Sequence, residues 1–423
     1  MSKTILIEED IHKHILNYEH QYYDSLKNKE SYESLQKDIL QSLYQEYEIM
    51  DETDTSILTL SKRHYLQNYL KTTIQEMVHN LHLRIQNQTC VKEQLQYLKT
   101  LELPEQRSQE WYDLRENLLT ASSLADALGK GHFNTRESLL IDKTSTEKKP
   151  FYTNNIIQWG VKYEPIATTF YEKLNQLTIV EFGLIPHPEL KVFGASPDGI
   201  CDEDSPEEYI GRMLEIKCPP IRDFTKEVPL HYWMQMQGQL ETCNLEECDF
   251  LQVKLTEYED EEKYNEDIYL EDTTLKEGYS SNGCPKGLVI TILSKDEKGN
   301  TVYHYEYGDF YLSYDEYNQW YETIHDQYKE EEGYTITKNW WKIERYECTL
   351  VYRDRTWWLK TIPKILDFWE DVEHYRSVGN QELIDKKEKR KKNRKKKKQP
   401  VYNVIQIDKN VLENDYLLGS DSD

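Results

Sequence analysis

Hydrophobic residues in the first quarter of the chain recur at every third or fourth position, the spacing of one face of a helix. The stretch 57–85 shows this pattern most clearly, and residues 1–103 almost lack glycine and proline. The positions that carry the pattern are Leu60, Leu66, Leu70, Ile74, Met77, Val78 and Leu81. We predict a helical accessory domain over residues 1–103 that ends at Leu103 and Pro104. This region offers no candidate chemistry.

From residue 108 onward, helical and strand-like spacing alternate along the chain. Helical spacing covers 159–174, after a shorter helical run that starts near residue 120. The runs that follow are strands at 178–185, 192–201 and 212–218, a helix at 231–243 and a strand at 250–257. The order helix, three strands, helix, strand predicts one mixed α/β core over residues 104–258.

The later segments are predicted to add to this core. Residues 259–286 are polar and acidic and indicate a loop or insertion. Strand-like runs resume at 287–293 and 301–311, and a helix at 357–375 follows. We predict that residues 259–380 form a C-terminal extension that completes the core. The last helix contains Trp357, Trp358 and Trp369, for which core packing is favoured over stacking on nucleic-acid bases.

Charge is distributed unevenly. The formal net charge is −25, but residues 386–398 contribute +10, which leaves −35 on the rest of the chain. An acidic body argues against a simple basic coat for nucleic acid, although metal ions can offset carboxylates in a cleft. We predict a basic, disordered tail over 381–423, whose basic tract is a nonspecific DNA tether, a nuclear-localisation signal or a solvated run. The basic side chains of the tract are Lys386, Lys387, Lys389, Arg390, Lys391, Lys392, Arg394, Lys395, Lys396, Lys397 and Lys398.

Composition also bears on the cellular compartment. Charged residues break every apolar run near the N-terminus, which argues against a secretory signal. No stretch approaches the roughly 18 uninterrupted apolar residues that a membrane span requires. Seven cysteines without a CxxC pair favour reduced thiols and no zinc site. We therefore predict an intracellular protein of a reduced compartment with no membrane partner. The abundance of Ile, Asn, Lys and Tyr suits an AT-rich genome such as that of a large DNA virus.

Candidate chemistry is concentrated in two short motifs on consecutive predicted strands. In GASPDGI, Asp198 stands where a strand breaks into a turn, so its carboxylate lies at a strand end. In LEIK, Glu215 and Lys217 are two residues apart on a strand and share one face. Either motif alone is ordinary, since LEIK is also typical of a half-buried edge strand. Together they predict a site of two carboxylates suited to magnesium, with an ammonium near the attacking water or the phosphate.

Two further side chains on predicted helices are candidates for the same site. Glu164, in WGVKYEP, would supply a third carboxylate from a helix packed on the sheet. Gln237, in HYWMQMQGQLE, would orient the lysine, the water or a phosphate if it points into the cleft. A glutamine on an amphipathic helix could equally face solvent, and that alternative stays open.

Five motifs follow one another in the order of a known nuclease family: WYDLRENLLTASS, GVKYEP, GASPDGI, LEIKCP and HYWMQMQGQLE. The set resembles the YqaJ-type viral recombinase, or lambda exonuclease-like, family of the PD-(D/E)xK nuclease superfamily. The resemblance covers residues 108–258, roughly a third of the chain. It implies a restriction-endonuclease-like core, that is, a mixed β-sheet flanked by helices.

The resemblance also implies roles for single residues. The implied catalytic set is Glu164, Asp198, Glu215, Lys217 and Gln237, and the implied metal ligands are Asp198, Glu215, Glu164 and the backbone carbonyl of Ile216. Arg115 and Ser122 resemble the residues that hold the 5′-phosphate of a DNA end. The free N–H groups of a helix that starts at Thr120 or Ser122 suit a phosphate, and an arginine can clamp one. Taken alone, Arg115 would be read as a surface charge.

The expected function is a Mg²⁺-dependent DNA nuclease, with Mn²⁺ as a substitute metal, that acts 5′→3′ on double-stranded DNA ends. The resemblance implies viral DNA recombination as its setting, with a single-strand annealing protein and further copies of the chain as candidate partners. Two alternatives remain open. One is a structure-specific endonuclease or flap nuclease with the same site, and the other is a catalytically inactive, nuclease-derived scaffold that binds DNA.

Overall fold

The computed structural model describes residues 91–398 apart from 105, 107, 133, 147–153, 270–277, 298 and 329–332, together with isolated helical residues at 37, 38, 40, 41 and 71. The accessory domain predicted for residues 1–103 therefore lies almost entirely outside the described residues. Its described end, residues 91–99, is helical. Leu95 and Leu98 of this helix are buried in one cluster with Met213 and Met236. This helix is thus part of the core, and the predicted boundary at 103–104 does not separate it.

The described strands form two sheets. Their bounds are β1 Leu119–Thr120, β2 Ile179–Val180, β3 Ile185–Pro186, β4 Phe193–Ala195, β5 Gly199–Cys201, β6 Met213–Lys217, β7 Glu247–Glu257, β8 Lys286–Lys295, β9 Thr301–Tyr307 and β10 Thr335–Tyr352. The larger sheet has the order β2-β5-β6-β7-β10-β8-β9, and the smaller has the order β1-β4-β3. In the larger sheet, β6 and β7 pair in parallel and the other neighbours pair antiparallel. The predicted mixed α/β class is confirmed.

Helices cover both faces of the larger sheet. Their bounds are α1 Gln109–Glu116, α2 Ala121–Ala127, α3 Arg136–Thr144, α4 Asn155–Asn175, α5 Leu230–Cys243, α6 Glu261–Glu266, α7 Tyr314–Tyr328, α8 Arg355–Val378 and α9 Gln381–Lys398. Helix α5 is the crossover between the parallel strands β6 and β7, a connection that commonly contains a helix. No helix in the described part of the chain is both long enough and apolar enough to cross a membrane.

Strand β6 is buried on both faces, and its side chains alternate between them. Leu214 and Ile216 pack in a cluster with Tyr163 and Phe170 of α4. Met213, on the opposite face, belongs to the cluster that contains Met236 and Leu240 of α5. Glu215 points to the same face as Met213, and this alternation therefore places a charged residue in the core beneath α5.

The structure differs from the predicted pattern in four places. The three runs predicted as strands over 178–218 are five short strands divided between the two sheets. Helix α6 starts within the stretch predicted as a loop, and helix α7 and the 18-residue strand β10 were not predicted. Because β10 pairs with both β7 and β8, residues after 258 are part of the same sheet. Helix α9 replaces the disorder predicted for 381–398, and residues 399–423 lie outside the described part.

The tryptophans of α8 are in part core residues, as the sequence indicated. Trp358 and Trp369 are buried in a cluster with Ile365 and Phe368. Trp357 is half-buried and packs edge-on against Trp233 of α5, with ring centroids 4.9 Å apart. Two of the three indoles are therefore unavailable to a nucleic-acid base.

Candidate active site

The turn before β5 places Asp198 against the neighbouring strand. Gly199 pairs with Leu214 of β6, and the amide N–H of Ile216 donates a 2.7 Å hydrogen bond to Asp198 Oδ2. Glycine is required at 199 because a Cβ there would lie 2.3 Å from Cγ2 of Ile179. The sequence motif Asp-Gly thus fixes the carboxylate beside the strand that carries the other candidate residues.

Glu215 is fully buried, and three donors bind its carboxylate. Gln235 Nε2 donates to Oε1 and Gln239 Nε2 donates to Oε2, each over 2.7 Å, and Lys217 Nζ pairs with Oε1. A buried carboxylate is costly unless it is paired and hydrogen-bonded. The surrounding side chains therefore satisfy the buried carboxylate of Glu215.

Lys217 is held between two carboxylates. Burial lowers the pKa of Lys217, but the negative charges of Glu215 and Asp198 outweigh it, and the net shift of this pKa is upward. Its Nζ also lies 5.2 Å from the ring centroid of Tyr232. The lysine is therefore a fixed cation at neutral pH, with a quarter of its side chain exposed.

Negative charge exceeds positive charge in this cluster. Burial raises the pKa of Asp198 well above its usual value, and the charges of Glu215 and Glu164 raise it further, against the effect of Lys217. Glu164 of α4 is half-buried and thus belongs to the same electrostatic cluster. Three carboxylates and one ammonium leave an excess that a divalent cation would neutralise.

The donor set fits a divalent cation bound to oxygen. Carboxylate and carbonyl oxygens are the ligands that Mg²⁺ prefers. Among the described residues, Gln239 Oε1 is a buried oxygen near Glu215 that has no hydrogen-bond partner, and it could accept a hydrogen bond from water that accompanies such a cation. The described part of the chain contains no preformed group of three or more His, Cys, Asp and Glu that could hold a metal. The fit therefore rests on Asp198 and Glu215, with Glu164 nearby.

The structure does not bring Gln237 to this cluster. Gln237 Nε2 donates to the carbonyl of Tyr352 over 2.8 Å, and its Oε1 accepts from the amide of Asp354 over 2.6 Å. The side chain thus joins α5 to the connection between β10 and α8. Successive helical residues are rotated by about 100°, so residues 235 and 239 share a face that residue 237 does not. The glutamines at Glu215 are Gln235 and Gln239.

Arg115 and Ser122 are brought together, as the motif implied. Arg115 Nη2 donates to Ser122 Oγ over 3.3 Å, and its guanidinium lies 4.4 Å from the ring centroid of Trp111. Ser122 Oγ is also 3.1 Å from Thr120 Oγ1, which in turn donates to Ser123 Oγ over 3.4 Å. One guanidinium and three hydroxyls therefore converge at the start of α2.

Lys143 of α3 is a residue of this second cluster that the sequence did not indicate. Its Nζ donates to the backbone carbonyls of Arg115 and, over 2.7 Å, of Leu118. Burial and the neighbouring charges of Arg115 and Arg376 lower the pKa of Lys143 to about 8. The surrounding sequence LLIDKT does not distinguish this lysine from a surface residue. Its carbonyl partners lie more than 20 positions earlier in the chain, so local sequence pattern cannot reveal the contact.

A close helix contact fixes the two clusters relative to each other. Gly238 of α5 faces Ala121 of α2, and a Cβ on Gly238 would lie 3.2 Å from Ala121 Cβ and 2.9 Å from Phe193 Cζ. Gly238 stands next to Gln239, which binds Glu215, and Ala121 stands next to Ser122. Glycine at 238 therefore lets the carboxylate cluster and the hydroxyl cluster approach each other.

The basic tract begins on a helix anchored to α3. Leu383 of α9 is buried, and Asn380, just before the helix, donates to Thr144 Oγ1 over 3.0 Å. Farther along, Arg390 contacts both carboxylate oxygens of Glu137 over 3.1 Å. Because Thr144 ends α3 and Glu137 lies in its first turn, α9 runs antiparallel along α3.

A family model matches this part of the chain. Residues 110–246 match the YqaJ-like viral recombinase domain. The matched segment contains both side-chain clusters, from Arg115 to Gln239.

Curated relatives come from viruses. The chain is 29% identical over 316 residues to an uncharacterised protein of Acanthamoeba polyphaga mimivirus, an alignment that covers 69% of this chain and 56% of the relative. It is 26% identical over 161 residues to a protein of African swine fever virus (strain Badajoz 1971 Vero-adapted), with 32% of this chain and 46% of the relative covered. The chain thus spans about half the length of the curated relatives it matches.

Two solved structures are also similar. An alkaline exonuclease (LHK-Exo) from Laribacter hongkongensis is 19% identical with a TM-score of 0.37, and the match covers 66% of this chain and 99% of that one. A phage related exonuclease from Haemophilus somnus 129PT is 12% identical with a TM-score of 0.32, over 64% of this chain and 98% of that one.

Proposed function

We propose, from the premise that residues 110–246 are a YqaJ-like viral recombinase domain, that this chain is a metal-dependent deoxyribonuclease that degrades duplex DNA from a 5′ end. The observation that carries the proposal is one electrostatic cluster of Asp198, Lys217 and the buried Glu215, in which Lys217 pairs with Glu215 and Asp198 is bound to the amide of the intervening Ile216. Two acids and a lysine fixed on neighbouring strands suit hydrolysis of a phosphodiester.

Asp198, Glu215 and the backbone carbonyl of Ile216 would hold Mg²⁺, with Glu164 as a further carboxylate and Mn²⁺ as a substitute metal. When bound, such an ion polarises the scissile phosphate and lowers the pKa of a bound water. Lys217, which stays protonated between its two carboxylates, would hold the attacking water and offset negative charge on the phosphate. Gln235 and Gln239, rather than Gln237, are the glutamines of α5 at the site, and they keep Glu215 oriented.

The cluster at the start of α2 would receive the 5′-phosphate of the DNA end. Arg115 supplies a guanidinium that is hydrogen-bonded to the hydroxyl of Ser122. A guanidinium can bind a phosphate through two N–H groups. Lys143, whose ammonium binds the backbone carbonyl of Arg115, adds a second cation near that guanidinium. A fixed phosphate site beside the carboxylates would make cleavage proceed from a 5′ end.

Helix α9 would contact the DNA backbone without reading its sequence. Its start is anchored at the end of α3 near Lys143, and the basic tract runs back along α3 to Glu137 in the first turn of that helix. The salt dependence of binding separates a tether from a localisation signal, because each phosphate contact adds about −0.9 to the slope of log K against log [salt]. Truncation after residue 385 should flatten that slope if the tract is a tether and leave it unchanged if the tract is only a signal.

The match to a viral recombinase domain supports a role in the processing or recombination of DNA, and the viral relatives suit a viral setting inside the host cell, in cytoplasm or nucleus. A single-strand annealing protein is the partner that such a reaction would need, because resection of one strand exposes the other. Assembly of several copies of the chain remains part of the proposal.

Substrate topology tests the proposal. Purified protein with Mg²⁺ should release mononucleotides from linear 5′-phosphorylated duplex, should act more slowly on the 5′-hydroxyl form, and should leave a covalently closed circle intact. Cleavage of the circle, or long first products, would assign the same site to an endonuclease or flap nuclease. Binding of DNA with no cleavage by wild-type protein in Mg²⁺ or Mn²⁺ would instead identify an inactive scaffold.

A further inference from the structure

A row of rings leads away from the candidate catalytic lysine. The ring centroid of Tyr232 lies 5.2 Å from Lys217 Nζ, and that of His231 lies 4.1 Å from the ring of Tyr232. The ring of His132 stacks on His231, with centroids 5.2 Å apart and an interplanar angle of 12°. We call Tyr232, His231 and His132 the aromatic shelf.

The shelf is rigid at one end and exposed at the other. Tyr232 packs on the fully buried Phe250, with ring centroids 5.4 Å apart. His231 and Tyr232 are half-buried in the first turn of α5, whereas His132 is exposed in the connection between α2 and α3. A histidine at an exposed position buries little area, so core packing does not explain why its ring lies flat on a second histidine.

Cations border the shelf. The guanidinium of the exposed Arg222 lies 5.8 Å from the ring centroid of Tyr232, which also faces Lys217. Burial lowers the pKa of His231, and the charges of His132, Arg222 and Lys217 lower it further, so this ring is neutral near pH 7. Neutral ring faces beside phosphate-binding cations are the combination with which proteins hold single nucleic-acid strands.

We propose that the aromatic shelf is a nucleobase-stacking subsite, on which a base next to the scissile phosphate lies while Arg222 contacts the backbone. The proposal rests on the proposed nuclease function, which it deepens by assigning the contact that holds the cleaved strand once a base leaves the duplex. Every base has a π face, so stacking tolerates all sequences. A nuclease that removes one nucleotide after another needs such a sequence-independent contact.

Removal of the base from the substrate tests the subsite directly. Two 5′-phosphorylated duplexes are compared, one natural and one with an abasic analogue at the second nucleotide of the degraded strand. Wild-type protein should show about tenfold lower kcat/KM on the abasic duplex, because a lost stacking partner weakens binding by roughly that factor. The variant H132A/H231A should be about tenfold slower on the natural duplex, with little further loss on the abasic one.

Two matched variants separate stacking from other effects. H132F/H231F keeps the flat rings without their nitrogens and should retain the wild-type preference for the natural duplex. H304A removes an exposed histidine from β9, at the far edge of the sheet, and should behave as wild type on both substrates. Thermal unfolding of all variants identifies any loss of fold.

The outcomes are distinct for the two proposals. The stacking proposal would be overturned if wild type and H132A/H231A showed the same ratio of kcat/KM between the natural and the abasic duplex. It would also be overturned if H132F/H231F behaved like H132A/H231A. Binding is measured in parallel on a duplex with 2-aminopurine unpaired in a short 5′ overhang, because this base fluoresces strongly when unstacked and is quenched on stacking. Quenching by a protein that never cleaves would support the shelf and reject the nuclease. Cleavage without quenching or abasic discrimination would reject the shelf alone.

Discussion

The amide of Ile216 donates its hydrogen to Asp198 Oδ2 across 2.7 Å, so the strand that carries Glu215 and Lys217 also fixes the aspartate. One backbone hydrogen bond thereby couples the Asp-Gly turn to β6. Burial and the charge of Glu215 raise the pKa of the Asp198 carboxyl, and this hydrogen bond and the charge of Lys217 offset only part of that rise. A site of this kind stores electrostatic repulsion that a bound cation relieves.

The first prediction concerns stability without metal. Asp198→Asn keeps an oxygen for the Ile216 amide and removes a poorly compensated charge, so the variant should unfold at a higher temperature than wild type in EDTA at pH 8. A stabilisation of ~1 kcal/mol would raise the midpoint of thermal unfolding by about 1–2 °C, because the entropy of unfolding grows with chain length. Differential scanning fluorimetry measures it.

The pH dependence has a definite sign. A carboxyl whose pKa is raised by folding contributes stability below its unfolded pKa and loses that contribution as pH rises through its folded pKa. The difference in unfolding temperature between Asp198→Asn and wild type in EDTA should therefore shrink on acidification. At pH 8, Mg²⁺ should also reduce this difference, because the bound ion stabilises the wild-type carboxylate. A wild-type protein more stable than the variant in EDTA at pH 8 would show that the carboxylate is already well compensated.

The second prediction separates the glutamines of α5. Gln239→Ala leaves the buried Glu215 with one hydrogen-bond donor fewer. The variant either loses about 1–3 kcal/mol of folding free energy or its Glu215 carboxylate turns toward another partner. We expect a strong fall in kcat. Gln237→Ala is the matched control on the same helix, because it loses hydrogen bonds only to the backbone of Tyr352 and Asp354. That variant should lose thermal stability and keep most of its kcat, and the reverse result would return the catalytic role to Gln237.

The third prediction concerns the cluster at the start of α2, the proposed site of the 5′-phosphate. The pKa of Lys143 is about 8, so its charge is mostly present at pH 7 and mostly absent at pH 9. The preference for 5′-phosphorylated over 5′-hydroxyl duplex should therefore fall across this range. Lys143→Arg stays charged at both pH values and should keep the preference. Competition between the two duplexes at each pH measures this preference. If the preference changed with pH in the same way in Lys143→Arg and in wild type, Lys143 would not be part of the phosphate site.

The fourth prediction concerns the contact between α2 and α5. Gly238→Val forces atoms into space occupied by Phe193 and Ala121 and should destabilise the fold by about 1–3 kcal/mol. Gly160→Ala is the matched control, since a Cβ there meets nothing within 4 Å and glycine in a helix costs roughly 0.5–1 kcal/mol relative to alanine. Urea titration should find the first variant less stable than wild type and the second at least as stable. Equal stability of Gly238→Val and wild type would contradict the close contact.

Local pattern was sufficient to predict the sheet part of the site. Glu215 and Lys217 share a face because strand side chains alternate, and the Asp-Gly turn stands one strand earlier, so their proximity follows from neighbouring strands. The rotation of α5 did not follow from pattern, because QMQGQ places glutamines on both sides of the helix. Packing of Gly238 on Ala121 decides which side faces Glu215.

Elements that depend on distant partners were the ones the sequence did not reveal. Strand β10 pairs with β7 and β8, and its register against β7 shifts between Ile343 and Arg345, which interrupts a simple alternation. Lys143 acquires its environment from α1 and α8, far away in the chain. For α9, long runs of lysine suggested disorder, but the buried Leu383 and the contact of Arg390 with Glu137 supply an anchor on α3.

The most direct test of the central claim is Mg²⁺-dependent release of nucleotides from 5′-phosphorylated duplex by Lys217→Ala, with DNA affinity measured in parallel. We predict a rate about 10²–10³-fold below wild type, since a preorganised charge at the reacting phosphate is lost, while the affinity for the duplex changes little. Cleavage at the wild-type rate by this variant would contradict the assignment of Asp198, Glu215 and Lys217 as the catalytic centre.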